Sequence, residues 1–173
     1  MTNWCKLLLF TMILIATCGC VKDEHSSHDE STLVDIGQLA PDFITELIDG
    51  TRCQLSNLRS NTVMLIFFSS SCPDCHAQFA DLAKRISNED PSFEILAISR
   101  AESLEETEEF SKQYNIDFAV GLDPDKSIYN MYATMYVPRS FLIDTSGRII
   151  DHTIEYSSVE FDALWRKAQN MGK

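Results

Sequence analysis

The sequence predicts an α/β domain: a central mixed β-sheet with helices on both faces, entered through an N-terminal β-hairpin. Three observations carry this. The runs TVMLIFF (Thr62 to Phe68) and FEILAISR (Phe93 to Arg100) are continuously apolar rather than alternating, as in strands buried on both faces. Segments with apolar residues at helical spacing follow each run. The alternation then ends in a hairpin and a last helix, the order of a layered α/β sheet.

Each element has its own local reason. DFITEL (Asp42 to Leu47) and RCQLSNL (Arg52 to Leu58) flank Asp49-Gly50, a hairpin signal. Thr62 to Phe68 is the central strand. Ser69-Ser70-Ser71 then precedes Cys72, and Pro73 takes the first position of a helix, where its missing N–H costs nothing. Phe79, Leu82, Ala83 and Ile86 carry that helix to about Ser87. After the second buried strand comes a helix over Leu104 to Tyr114. Five glutamates lie between Glu102 and Glu109, and they read as its solvated first turn, where acids complement the helix dipole, rather than as a docking patch.

DFAVGL (Asp117 to Leu122) is a short strand, and DPDKSIYNMY (Asp123 to Tyr132) is a helix opened by Asp123-Pro124. RSFLID and RIIDHTI form a hairpin around Thr145-Ser146-Gly147. SSVEFDALWRKAQ closes the chain as a helix with a capping box from Ser157 to Glu160.

The first residues stand outside this domain. Met1 to Lys6 carries a single positive charge, Leu7 to Ala16 is apolar, and small residues follow, the layout of a secretory signal. That run is too short to span a bilayer, which takes about 20 residues. The signal ends in IATCGC, which resembles a bacterial lipobox. Cys20 follows Gly19 and is the expected lipidated residue; Cys18 follows the bulkier Thr17. Residues 1–19 are then the signal peptide, 20–32 a flexible acidic tether without aromatics, and 33–173 one domain without internal repeats. The expected location is the cell envelope, lipid-anchored to a membrane, with the domain in the periplasm or on the outer surface. His25 and His28 read as solvated tether residues rather than a metal pair. The formal net charge of −12 argues against nucleic acid, whose phosphates need a basic face.

The chemistry sits in SSSCPDCHAQF, residues 69–79. Cys72, Cys75 and His76 spell the c-type haem attachment pattern, and the two cysteines alone spell a redox dithiol or half a zinc site. A haem needs a loose, exposed segment and a distal axial ligand, and Phe67-Phe68 leading straight into the motif do not offer that. Zinc needs two further ligands, with only Cys53 and His152 as candidates. The dithiol reading fits the strand–helix junction. Cys72 lies at the helix N-terminus, where unpaired N–H groups and the dipole stabilise its thiolate, and Cys75 lies one turn inside. Asp74 opposes the thiolate, whereas a protonated His76 near the sulfurs would favour it. Cys53 reads as a small apolar strand residue.

From Gly37 to about Lys167 the chain resembles the thioredoxin-fold family, in its TlpA/ResA-like branch of membrane-tethered thiol–disulfide oxidoreductases within the AhpC/TSA superfamily. The matching stretches are GQLAPDF, the strand leading into C-P-D-C and a helix, DPDKSIYNMY, and YVPRSFLIDTSGRI. The resemblance implies a thioredoxin-like fold and a cis Pro138 facing the dithiol. Val137 and Pro138 then form a shelf for a partner's extended chain. It implies protein disulfide substrates and a membrane-side electron donor, and it calls for no cofactor and no metal. Cys72 is the expected attacking thiol and Cys75 the resolving one, joined in the oxidised state by a redox-active disulfide.

Four positions depart from the family pattern. Ser71 stands where a tryptophan usually precedes the first cysteine, and Arg139 where threonine often follows the proline. Ile66 replaces the buried aspartate of thioredoxins, and Gln78 a glutamate common in the branch. Both acids are tied to proton transfer at the second thiol, which leaves that step unassigned. Two other classes share the fold: a peroxiredoxin-like peroxidase and a non-catalytic surface lipoprotein. The peroxidase needs Pro-x-x-x-Thr-x-x-Cys, and Phe67 to Ser71 supplies neither proline nor threonine.

Overall fold

In the computed structural model the described residues are Asp29–Gly172. The signal, Cys20 and its neighbours, and most of the tether lie outside them. Asp29 to Thr32, on the tether side of the boundary drawn from composition, pack against the domain: Thr32 bridges Ala133, and the Leu33 N–H donates to the Tyr132 carbonyl at 2.9 Å.

A two-stranded hairpin, β1 (Ile44–Glu46) and β2 (Arg52–Gln54), opens the fold around Asp49-Gly50. Gly50 takes the positive φ of 80° that this turn requires. The main sheet contains β3 (Val63–Phe68), β4 (Glu94–Arg100), β5 (Ala119–Asp123), β6 (Arg139–Ile143) and β7 (Ile149–Ile154) in the order β5-β4-β3-β6-β7. β3 runs parallel to β4 and antiparallel to β6, so the sheet is mixed as expected. All six residues of β3 are buried, which is why its sequence shows no alternation.

Three α-helices, α1 (Pro73–Asn88), α2 (Leu104–Gln113) and α3 (Ser158–Met171), share one apolar cluster with Met64, Ile66 and Phe68 on one face of the sheet. Val63, Leu65 and Phe67 point to the other face, which Val34, Phe43, Leu55, Tyr129 and Tyr132 cover from 3-10 turns and connecting segments. The second face therefore carries no α-helix among the described residues. The helix expected over Asp123 to Tyr132 is a turn followed by a 3-10 segment, Tyr129–Met131. Two causes are visible. The Asp123 carboxylate accepts from the Ile128 and Tyr129 N–H groups at 3.1 and 2.8 Å, and Lys126 adopts a positive φ of 63° that interrupts a helix.

The capping expectation also shifts. Ser157 is the N-cap of α3 but makes no side-chain cap bond. The reciprocal box forms instead at α2: the Glu106 N–H donates to Ser103 Oγ at 3.3 Å, and the Ser103 N–H to Glu106 Oε2 at 2.8 Å.

Sheet register places the site. Arg139 of β6 faces Phe67 of β3, so the start of β6 lies beside the end of β3. On the other flank Ser99 of β4 faces Phe68. Three chain segments thus meet at the C-terminal end of β3: residues 69–72, 99–103 and 135–139.

Candidate active site

Cys72 is the N-cap residue of α1, with extended backbone (φ −91°, ψ 118°) and Pro73 following at the first helical position. Its Sγ accepts from the Cys75 N–H at 3.4 Å, so an unpaired amide of the first turn is aimed at the sulfur. The same thiol donates to the Val137 carbonyl at 3.2 Å. Val137-Pro138 is a cis peptide, as the resemblance implied. Cys72 and the Val137-Pro138 pair therefore lie together, and Met135 and Tyr136 remain half-exposed beside them.

Cys75 differs in every respect. It is fully buried, and its Sγ receives the Ser69 N–H at 3.5 Å. Burial pushes its thiol well above the ordinary range, because the thiolate would lose its water; the cysteine neighbour and the charge of Glu102 act in the same direction.

Glu102 belongs to the acidic run that reads as a solvated helix turn, yet it is a buried member of the site. Its Oε1 accepts from Ser69 Oγ at 2.8 Å, from the Ser70 N–H at 2.5 Å and from Ser70 Oγ at 2.7 Å. Its Oε2 accepts from Ser99 Oγ at 2.8 Å. These bonds make up for the lost water of a buried carboxylate and fix the turn that leads into Cys72. One signal was present in the sequence. Glu102 precedes the N-cap Ser103, a position where an apolar staple residue is usual.

His76 is half-buried, and both its ring nitrogens are engaged away from the sulfurs. Its Nε2 lies 2.7 Å from the Ser70 carbonyl and its Nδ1 2.6 Å from the Tyr114 hydroxyl. Only an N–H can face a carbonyl, so Nε2 carries a proton and donates to Ser70. The histidine ties the active-site turn to the end of α2. Gln78, in place of the family's glutamate, is buried; its Nε2 donates to Ser140 Oγ at 2.9 Å while its Oε1 has no partner among the described residues.

Cys53 sits half-buried in β2 opposite Thr45, and burial raises its thiol. His152 lies in β7 against the Phe141 ring, where burial lowers its basicity. No group of three or more possible metal-ligating side chains occurs among the described residues.

A model of the AhpC/TSA family matches residues 36–152. The chain belongs to the AhpC/TSA family, in its ResA-like thiol–disulfide oxidoreductase branch. It is 27% identical over 152 residues to the thiol-disulfide oxidoreductase ResA of Bacillus cereus, covering 86% of this chain and 88% of that one. Among solved structures it resembles a candidate protein disulfide isomerase from Bacteroides thetaiotaomicron, at 34% identity and a TM-score of 0.73 over 82% of this chain and 92% of the other. A candidate thiol:disulfide interchange protein DsbE from Chlorobium tepidum shares the fold, with a TM-score of 0.73, 24% identity and coverage of 81% and 99%.

Proposed function

We propose that this protein reduces disulfides of protein substrates in the cell envelope through Cys72 and Cys75, held near a membrane by a lipid on Cys20. One observation carries the site assignment: Cys72 Sγ reaches the Val137 carbonyl beside Pro138 at 3.2 Å, while Cys75 is buried one turn into the helix. The cysteine that is partly exposed is the one a substrate disulfide can meet, and the shelf is where the substrate backbone lies.

The Cys72 thiolate attacks one substrate sulfur, forming a mixed disulfide and releasing the other as a thiolate that takes up a proton. Cys75 then gives up its proton and attacks Cys72 Sγ. The Cys72–Cys75 bond forms as the mixed disulfide breaks, and the second substrate sulfur leaves as a thiol. The substrate gains two electrons and the dithiol loses two, which a membrane-side donor dithiol returns. Cys75 cannot compete as first nucleophile while it is buried and protonated.

Reduction of insulin by the purified protein, with a small dithiol as electron source, tests the reading. Turnover abolished by Cys72→Ala supports it. Peroxide consumption without insulin reduction would move the protein to the peroxidase class. Labelled fatty acid on the wild type but not on Cys20→Ser tests the anchor, and retention by that variant would remove Cys20 from the account.

A further inference from the structure

Arg139 heads the large, fully buried side chains among the described residues, and it stands immediately after the shelf proline. Its Nε donates to the Met135 carbonyl at 2.8 Å, and one terminal nitrogen donates to Thr32 Oγ1 at 2.6 Å. The other terminal nitrogen meets Asp29 Oδ2 at 3.1 Å and also Ser31 Oγ. Asp29 in turn accepts from Thr32 Oγ1 at 3.0 Å and from Ser31. All three guanidinium nitrogens are thus engaged, Nε on the shelf loop and the two terminal nitrogens on the segment that enters the domain. The Met135 carbonyl also accepts from the Tyr129 hydroxyl at 2.6 Å, which lies equally close to the Tyr136 carbonyl. Tyr136 takes a positive φ of 68°, and the next residue presents its carbonyl to Cys72.

We propose that Arg139 and the Asp29–Thr32 segment form a positioning device for the substrate shelf, so that the incoming chain sets how well the site holds a protein substrate. The inference rests on the reading of Cys72 and Val137 given above. A buried ion pair adds little to stability that an apolar side chain would not. What an apolar residue cannot do is hold the Met135 carbonyl and the entering segment with one rigid fork. The dithiol itself makes no contact with Arg139, so the device acts on the binding of an extended chain and not on sulfur chemistry.

The test compares two disulfides in full-length Asp29→Asn and Thr32→Val: insulin, which needs the shelf, and a small aromatic disulfide, which needs only an accessible thiolate. Both changes nearly keep the side-chain shape while removing one acceptor of the buried guanidinium, and either one carries the test if the other fails to fold. We expect the KM for insulin to rise about fivefold with kcat within about twofold, the pattern of lost binding rather than lost chemistry. The rate with the small disulfide should stay at the wild-type value. Unchanged insulin KM in the folded variants, or equal losses with both disulfides, overturns the proposal. A wild type that reduces neither disulfide is a separate result, which removes the function and the shelf device together.

Discussion

At the residue scale, burial keeps Cys75 in the thiol form at neutral pH, because its thiolate would sit in a water-poor site beside Phe68 and Phe79. Cys72 is partly exposed and open to reagent. Limited alkylation of the reduced protein near pH 7, read by peptide mass, should therefore label Cys72 first. Labelling of Cys75 should wait for strongly alkaline pH, and Cys75 reacting first would reverse the roles. Glu102 adds a smaller effect of the same sign through its charge. Glu102→Gln keeps the shape and an acceptor oxygen, but a second negative charge nearby becomes less costly. In a Cys72→Ala background it should speed Cys75 alkylation about two- to fivefold at a fixed alkaline pH. No change, or slower labelling, would show that Glu102 acts only as a tie for the Ser69–Ser71 turn.

At the element scale, two helices share the same Ser-x-x-Glu spacing and only one uses it. Ser103→Ala should cost about 0.5–2 kcal/mol in denaturant unfolding, the usual value of a formed cap. Ser157→Ala should cost less, because its hydroxyl makes no cap bond. Equal losses would contradict the assignment. The hairpin gives a second test. A Cβ at Gly121 would lie 2.6 Å from the Thr45 side chain, whose hydroxyl bonds both the Leu122 carbonyl and its N–H. Gly121→Ala should therefore destabilise by about 1–3 kcal/mol through overpacking where β1 meets β5.

These elements also show what the sequence carries and what it does not. The strands were legible because burial on both faces leaves an unbroken apolar run, and α1 because Pro73 and its apolar spacing agree. The turn at Asp123 to Tyr132 was not, since the Asp-Pro opening looks the same whether the carboxylate serves a helix or a tighter turn. The two cysteines and Pro138 were legible from local motifs. Glu102 was hidden among acidic neighbours, and its role depends on a strand, a turn and a helix meeting in space.

For the whole molecule, the mixed sheet explains why one end holds everything reactive. Parallel β4 and antiparallel β6 flank β3, so the exit of one and the entry of the other converge on Cys72. The entering segment is latched to the same end. Ser31, Arg139 and Thr32 hold the Asp29 carboxyl well below the usual carboxylate range. A group lowered in the folded state contributes stability above its unfolded value and loses it as pH falls through the folded one. Protection of the Leu33 amide against hydrogen exchange should therefore persist below about pH 3.9, the ordinary aspartate value. Asp29→Asn should remove that acid dependence, and loss of protection already near pH 5 would contradict the latch.

The central claim is that Cys72 meets the substrate and Cys75 releases it. It is tested most directly by trapping: Cys75→Ala, expressed in its native host, purified and run without reductant, should carry partner proteins through a disulfide mapped by mass to Cys72. The Cys72→Ala protein should carry none. Adducts on Cys75 in the Cys72→Ala protein, or none in Cys75→Ala alongside a wild type that reduces no disulfide, would contradict the account.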